Sequence, residues 1–396
     1  MKFKLKNIPQ NVFIFGLVSL LTDVSSDMIY PLLPVFLLQY LGAGKGFIGL
    51  IEGFAESVAA LFTLFSGRIA DRTKDRSKLV LFGYGLSSAS RPLIAAAQGP
   101  WTVFFVRFSD RIGKGIRTSP RDALIADSVE PHSRGKAFGL QRTMDHIGAV
   151  IGPLIASLLL STVVTDLRVL FWIAAIPGLL AVGLIFWKVR EVLPDRPRPS
   201  VPQPVFRFTM PRGKLRIYLI ILFLFMLSCS SDAFLILRSQ ELGVPAILLP
   251  ILWLMFNLVK AFTTLPLGSL SDRMGRRRMI LLGWLVYTGV YTGFAMATNE
   301  THAWVLFACY GLFYGFTEGG ERALLADLAP AHEKGQIYGW YYLVVGIVSL
   351  PASLWFGWVW QAAGAQTAFL ISASISLTAS AMMLAFLKTH PPVRQG

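Results

Sequence analysis

Two cysteines in 396 residues, Cys229 and Cys309, are too few and too far apart for a disulfide framework. Each lies inside an apolar segment, with no metal-ligand spacing around it. The five histidines are scattered, and neither His-Glu-x-x-His nor Gly-x-Ser-x-Gly occurs. The chain therefore lacks the zinc and nucleophile constellations an enzyme would need. No Gly-x4-Gly-Lys-Ser/Thr phosphate loop is present, because Gly113-Lys114-Gly115 lacks the frame, so ATP is not the evident energy source. Charge is sparse at 15% of residues, where a soluble domain carries about a quarter. Acid is sparser than base, 22 residues against 37. A net charge of +15 could suit nucleic acid, but here it sits in short loops between apolar runs. That pattern is expected of attraction to an anionic membrane leaflet. No small-residue cleavage site follows the basic start Met1-Lys-Phe-Lys-Leu-Lys6 and its long apolar run, so that run reads as a retained first helix. No metal, cofactor or nucleic acid is expected.

What is abundant is apolar sequence: 54% of residues are hydrophobic. Runs of about 20 residues, enough to cross a ~30 Å hydrocarbon core, recur throughout. Twelve spans fit: 11–39, 46–70, 78–97, 100–124, 135–162, 168–189, 215–241, 245–270, 278–298, 302–327, 336–361 and 367–388. Residues 190–214, rich in proline and arginine, cannot span and read as an extended cytoplasmic linker. Two copies of one unit flank it. Arg121-Asp-Ala-Leu-Ile-Ala-Asp127 reappears as Glu321-Arg-Ala-Leu-Leu-Ala-Asp327, and Arg134-Gly-Lys-Ala-Phe-Gly139 as Lys334-Gly-Gln-Ile-Tyr-Gly339, each 200 positions on. The expected domains are a six-helix bundle over 1–189 and a second over 215–396. Lysine and arginine gather in the loops on one side, which predicts both termini in the cytoplasm and a multi-pass protein of the cytoplasmic (inner) membrane.

Span 4 is the most heavily charged. Arg107, Asp110 and Arg111 fall three and four residues apart, where helical side chains meet. Charges at membrane depth usually face a partner or a water-filled cavity, which makes them functional candidates. A salt-bridge network that only holds the half together is the alternative. Span 1 supplies Asp23 and Asp27, four apart on one face, followed by Tyr30. Burial resists ionisation of such a carboxylate and a nearby arginine favours it, so either could load and release a proton. A permanent pair of Asp23 with Arg107 or Arg91 is the competing reading. Span 5 adds Arg142, Asp145 and His146, with Arg142 sharing a face with Asp145 or His146. The second half offers Asp232, Arg238, Lys260, Tyr314, Glu318, Glu321 and Arg322. It has Phe307 at the repeat equivalent of Arg107. The ionic machinery is thus expected mainly in the first half, with an aromatic second half suited to substrate contact.

Two loops carry a resemblance. Gly67-Arg-Ile-Ala-Asp71-Arg72-Thr-Lys-Asp-Arg76 ends span 2, and Gly268-Ser-Leu-Ser-Asp272-Arg273-Met-Gly275-Arg-Arg277 ends span 8. The pattern Gly-x-x-x-Asp-Arg-x-Gly-Arg-Arg resembles the signature loop of the major facilitator superfamily. The second copy matches fully, and the first has Lys74 in place of a glycine. The resemblance implies an all-α membrane fold of two pseudo-symmetric six-helix bundles around a central site. It also implies secondary transport by alternating access, usually as a monomer. Span 4 is similar to the family's Arg-x-x-Gln-Gly-x-Gly motif, whose arginine is associated with proton coupling. Here Arg107 and Gly113 match, while Asp110 and Arg111 depart. Gly139, Gly148, Gly152 and Pro153 fit Gly-x8-Gly-x3-Gly-Pro, which resembles the motif of proton-coupled exporters. The resemblance therefore implies proton-coupled efflux of a small organic solute or drug across the bilayer. Proton-coupled uptake of a small organic solute or siderophore is the alternative. Asp23, Asp27, Arg107, Asp110 and Arg111 form the expected coupling network. Tyr30, Arg142, Asp145, His146, Asp232, Arg238, Tyr314 and Glu318 are candidates for the cavity.

Overall fold

The computed structural model describes residues 9–72, 75–130, 133–191, 211–328 and 334–389, without the side chains of 64–65, 67–72, 265, 272, 319, 322–323, 326–328, 334–336 and 338. Lys2, Lys4, Lys6, Lys74, most of the 190–214 linker and the Arg322 side chain therefore lie outside the described residues. Among those described, every regular element is helical.

Among the described residues, twelve helices are formed. The first, α1 (10–40), runs as Gln10–Asp27 and resumes as Leu33–Val35 and a π-helical turn, Phe36–Tyr40. Its interruption has a chemical cause. Pro31 has no N–H, and its ring clashes with the carbonyl four residues back, which is that of Asp27. The next five are α2 (Lys45–Arg72), α3 (Arg76–Ala95), α4 (Pro100–Asp127), α5 (Arg134–Thr162) and α6 (Leu167–Lys188). In the second half, α7 (214–241) is broken into Lys214–Ser228 and Asp232–Glu241. No proline causes this break. Instead Ser231 starts a new helix, its Oγ accepting from Ala233 N at 3.3 Å, as an N-cap does. Then follow α8 (Leu249–Met274), α9 (Arg276–Met296) and α10 (Glu300–Leu328). The helical stretch Lys334–Thr389 is divided at Gly364, whose φ of 88° ends α11 (334–363) and starts α12 (365–389). Glycine is the residue that tolerates that φ.

Among the described residues, seven stretches are long and apolar enough by themselves to cross a membrane. The helix α4 is not one of them, because eight charged side chains lie between Arg107 and Asp127. Its charges need neighbours inside the protein.

By contacts the chain forms two compact units, residues 1–36 with 58–203, and residues 37–57 with 204–396. In the first unit, Phe15, Val18, Val80, Tyr84, Leu124 and Ile185 are buried together from α1, α3, α4 and α6. The backbones of α3 and α4 nearly touch, since a Cβ on Gly113 would lie 2.6 Å from the Gly83 carbonyl. Lipid is as apolar as leucine, so helices here associate through close packing and polar contacts. In the second unit the core is aromatic: Phe225 stacks on Trp284 at 4.1 Å, and Tyr287 on Tyr291 at 4.1 Å. The first half of α2 belongs to this unit, with Gly49 against the Ser353 carbonyl and Gly53 against the backbone of Ser349 and Leu350 on α11.

One end of the first unit is tied by polar contacts. Arg76 Nη1 meets Asp127 Oδ2 at 2.6 Å, with the arginine side chain only 5% exposed. The Asn11 amide donates to the Arg190 carbonyl at 2.8 Å, and Glu191 Oε2 accepts from Ser77 N at 2.7 Å. Removing one member of a buried ion pair costs about 3–5 kcal/mol, because the other charge is stranded. Asp127→Ala is therefore expected to lower the unfolding midpoint in detergent sharply, and the paired change R76M/D127L to recover most of it. Equal losses in the single and the paired variant would show that the cost does not come from a stranded charge.

Candidate functional site

The first cluster is built where α5 crosses α1. On α1 the half-buried side chains Asp23, Asp27 and Tyr30 follow at four and three residues and form one stripe. Facing them, α5 presents glycine. A Cβ on Gly148 would stand 2.5 Å from the Leu20 carbonyl and 2.9 Å from Asp23 Cβ. One on Gly152 would stand 2.6 Å from the Val24 carbonyl and 3.2 Å from Asp27 Cβ. Neither helix could come so close with any other residue at those positions. Pro153 is buried directly after them. Gly139 differs, because a Cβ there would meet nothing within 4 Å.

Polar contacts reinforce the seam. Gln141, 2% exposed, turns its Nε2 to Asp145 Oδ1 and Oδ2 at 2.9 and 2.8 Å and to Ser19 Oγ on α1 at 2.9 Å. Asp145 and Asp27 both act electrostatically on Asp23. Arg142 reaches Asp145 only at 3.8 Å, and its side chain is 63% exposed. His146 is exposed, away from the buried Gly148 face.

The charges of α4 are held in the same unit. Arg107 and Arg111 are each 7% exposed. Arg107 Nη1 lies 3.8 Å from Asp110 Oδ2, and its guanidinium is 6.0 Å from the centre of the Tyr30 ring. Arg111, Arg107, Arg91 and Arg117 all act on Asp110. Arg91, on α3, donates from Nη2 to the Thr22 carbonyl at 3.3 Å, and Gly178 of α6 leaves the space its guanidinium fills. Arg117 stacks on Tyr84 at 4.0 Å. Among the residues proposed from sequence, the structure thus brings Asp23, Asp27 and Asp145 together across α1 and α5, and Tyr30, Arg107 and Asp110 across α1 and α4. Sequence reasoning did not single out Arg117 or Gln141. The signal for Arg117 was available, since residues 107, 111, 114, 117 and 121 run along one helical face. For Gln141 there was none, as its partners lie on another helix as well as its own.

The second cluster lies in the other unit. Asp232 opens the second piece of α7, where the helix dipole favours a carboxylate. Tyr310 Oη donates to Asp232 Oδ1 at 2.6 Å and lies 3.4 Å from Tyr314 Oη. The Lys260 ammonium sits 4.5 Å from the centre of the Tyr314 ring and 3.4 Å from Glu318 Oε2. Phe256 stacks on Tyr310 at 5.3 Å. Asp232, Tyr314 and Glu318 therefore form one chain with Lys260. Arg238 does not join it: its guanidinium donates to the carbonyls of Phe294 and Ala297 at 3.3 and 3.0 Å and pairs with Glu241 at 3.3 Å. Glu321, 8% exposed, accepts from Tyr341 Oη at 2.9 Å.

In the signature loops, Arg273 is exposed at the end of α8, and Gly275 turns the chain at φ 93°. Gly268 has open space around it. Gly67 and the side chains of Asp71, Arg72 and Asp272 lie outside the described residues. Among the described residues, no three His, Cys, Asp or Glu side chains gather as a metal site.

Both clusters sit beside interrupted helices, α1 and α7, at corresponding places in the two halves. In transporters built from repeats, such broken spans mark the binding region. Comparison with known proteins agrees with this architecture. The family model described as Major Facilitator Superfamily matches residues 15–353 and 218–396. An MFS-type transporter of Methanocaldococcus jannaschii is 33% identical over 96% of this chain and 95% of its own. Multidrug resistance protein MdtH of Yersinia enterocolitica is 26% identical over 87% of this chain and 85% of its own. A crystal structure of a mutant of the nucleoside transporter NupG superposes with a TM-score of 0.82, covering 95% of this chain and 99% of that one at 12% identity, a likeness of fold. With the family model and a relative of that closeness both spanning it, the chain is a membrane transporter of the major facilitator superfamily, not an enzyme.

Proposed function

We propose that this transporter expels a small organic solute in exchange for protons, with Asp23 and Asp27 as the groups that carry the proton. The observation that supports it is the glycine seam. Gly148 and Gly152 set the α5 backbone against α1 at the level of those two carboxylates. A small sliding of α5 on α1 changes their packing and hydration, and so their hold on a proton. Protonation of either carboxylate changes its attraction to the buried guanidiniums of α3 and α4. Alternating access then lets the carboxylates load a proton from one side and lose it to the other. The relatives named as multidrug resistance proteins support the outward direction for the solute. The basic loops support cytoplasmic termini in the inner membrane, and the working unit is a monomer.

Inverted membrane vesicles acidified inside by respiration test this reading. A solute carried by the protein is expected to accumulate in them, and a protonophore to abolish the accumulation. Accumulation that ignores the protonophore would overturn proton coupling, and accumulation only in right-side-out vesicles would turn the reading to uptake.

A further inference from the structure

The cluster on α7, α8 and α10 contains a feature that coupling at Asp23 and Asp27 does not use. Lys260 extends from α8 so that its ammonium rests on the face of the Tyr314 ring and on the carboxylate of Glu318, both on α10. An aromatic face combined with a carboxylate is a seat for a cation. The lysine fills it from a flexible four-carbon stem, and neither charged side chain is fully enclosed, at 26% and 33% exposure. The seat is therefore open to exchange. Asp232 links it to further charges: Lys260, Glu56 and Glu52 all act on Asp232, and Glu52 is buried at 2% exposure. The Lys260 ammonium thus acts on Asp232 as well as resting on Glu318.

We infer that the substrate is an organic cation, and that its charge takes the place of the Lys260 ammonium on Tyr314 and Glu318. The inference rests on the antiport reading and narrows it. The seat's own carboxylate favours a cation, whereas an anion placed on Tyr314 would face Glu318 and Asp232. The surrounding rings of Phe256 and Tyr310 supply an apolar wall for the rest of the molecule.

Equilibrium binding to the purified full-length protein in detergent tests this without any gradient. The probes are tetraphenylphosphonium and tetraphenylborate, a cation and an anion of the same shape. The phosphonium is expected to bind saturably and the borate not to. Lys260→Gln removes the resident competitor and should tighten phosphonium binding several-fold, while Glu318→Gln should weaken it about tenfold. A gain of affinity in K260Q cannot come from misfolding. Weaker phosphonium binding in K260Q, unchanged binding in both variants, or preference for the borate would each overturn the inference. Cation binding with protons moving alongside the solute would overturn antiport and leave the cation seat standing. Proton exchange with a solute that is not a cation would do the reverse.

Discussion

Gly148→Ala is expected to stop transport, while Gly139→Ala leaves it near the wild-type rate. The two glycines belong to one motif, yet their surroundings differ. At 148 the new methyl group meets the Leu20 carbonyl at 2.5 Å and Asp23 Cβ at 2.9 Å; at 139 it meets nothing within 4 Å. Overpacking of this kind costs about 1–3 kcal/mol. If the strain falls on the state in which α1 and α5 are closest, the balance between states moves by about 5–150-fold. Gly152→Ala should resemble Gly148→Ala, since its methyl would press on the Val24 carbonyl at 2.6 Å. Transport rates in proteoliposomes, taken with unfolding midpoints, check this. Equal behaviour of the 139 and 148 variants would show that close approach to α1 is not what the motif provides.

The second large effect is at the carboxylates. Asp23→Asn and Asp27→Asn should each abolish pH-driven transport, by a hundredfold or more on the scale of a lost acid–base group, about 10²–10⁴. Exchange of labelled for unlabelled solute with equal pH on both sides should persist, because it needs the moving bundles and the substrate seat but no net proton transfer. The two losses therefore separate coupling from folding. A variant that still concentrates solute against its gradient would exclude that aspartate as a proton carrier. Loss of both activities together would assign it to the structure of the α1–α5 seam, where Gly148 and Gly152 already press on it.

Much of the fold was legible because hydropathy and length decide it. The span expected at 135–162 is formed at Arg134–Thr162, and that expected at 100–124 at Pro100–Asp127. The break in α1 was foreshadowed by Pro31 and Pro34. The break in α7 was not: Cys229, Ser230 and Ser231 form no standard stop signal, and only the new cap at Ser231 explains it. That break matters for the site, because it makes Asp232 the first residue of a helix. Arg238, six residues on and so about 240° around the helix, points elsewhere and clamps the end of α9 instead. Arg107, Asp110 and Arg111 stood out in the sequence because charge in a membrane span is costly. Gln141 did not, since a neutral amide costs little to place and shows its importance only through Ser19 on the neighbouring helix. The second half looked poorer in ionic groups than it is. Asp232, Lys260 and Glu318 are spread over three helices, and only folding joins them through Tyr310 and Tyr314.

The most direct test of proton exchange is the pH inside proteoliposomes loaded with a pH-sensitive dye, followed as an outward or inward solute gradient is imposed. Solute-dependent proton movement opposite to the solute, present in the wild-type protein and absent from Asp27→Asn, is the predicted result. Protons moving in the same direction as the solute would contradict the account.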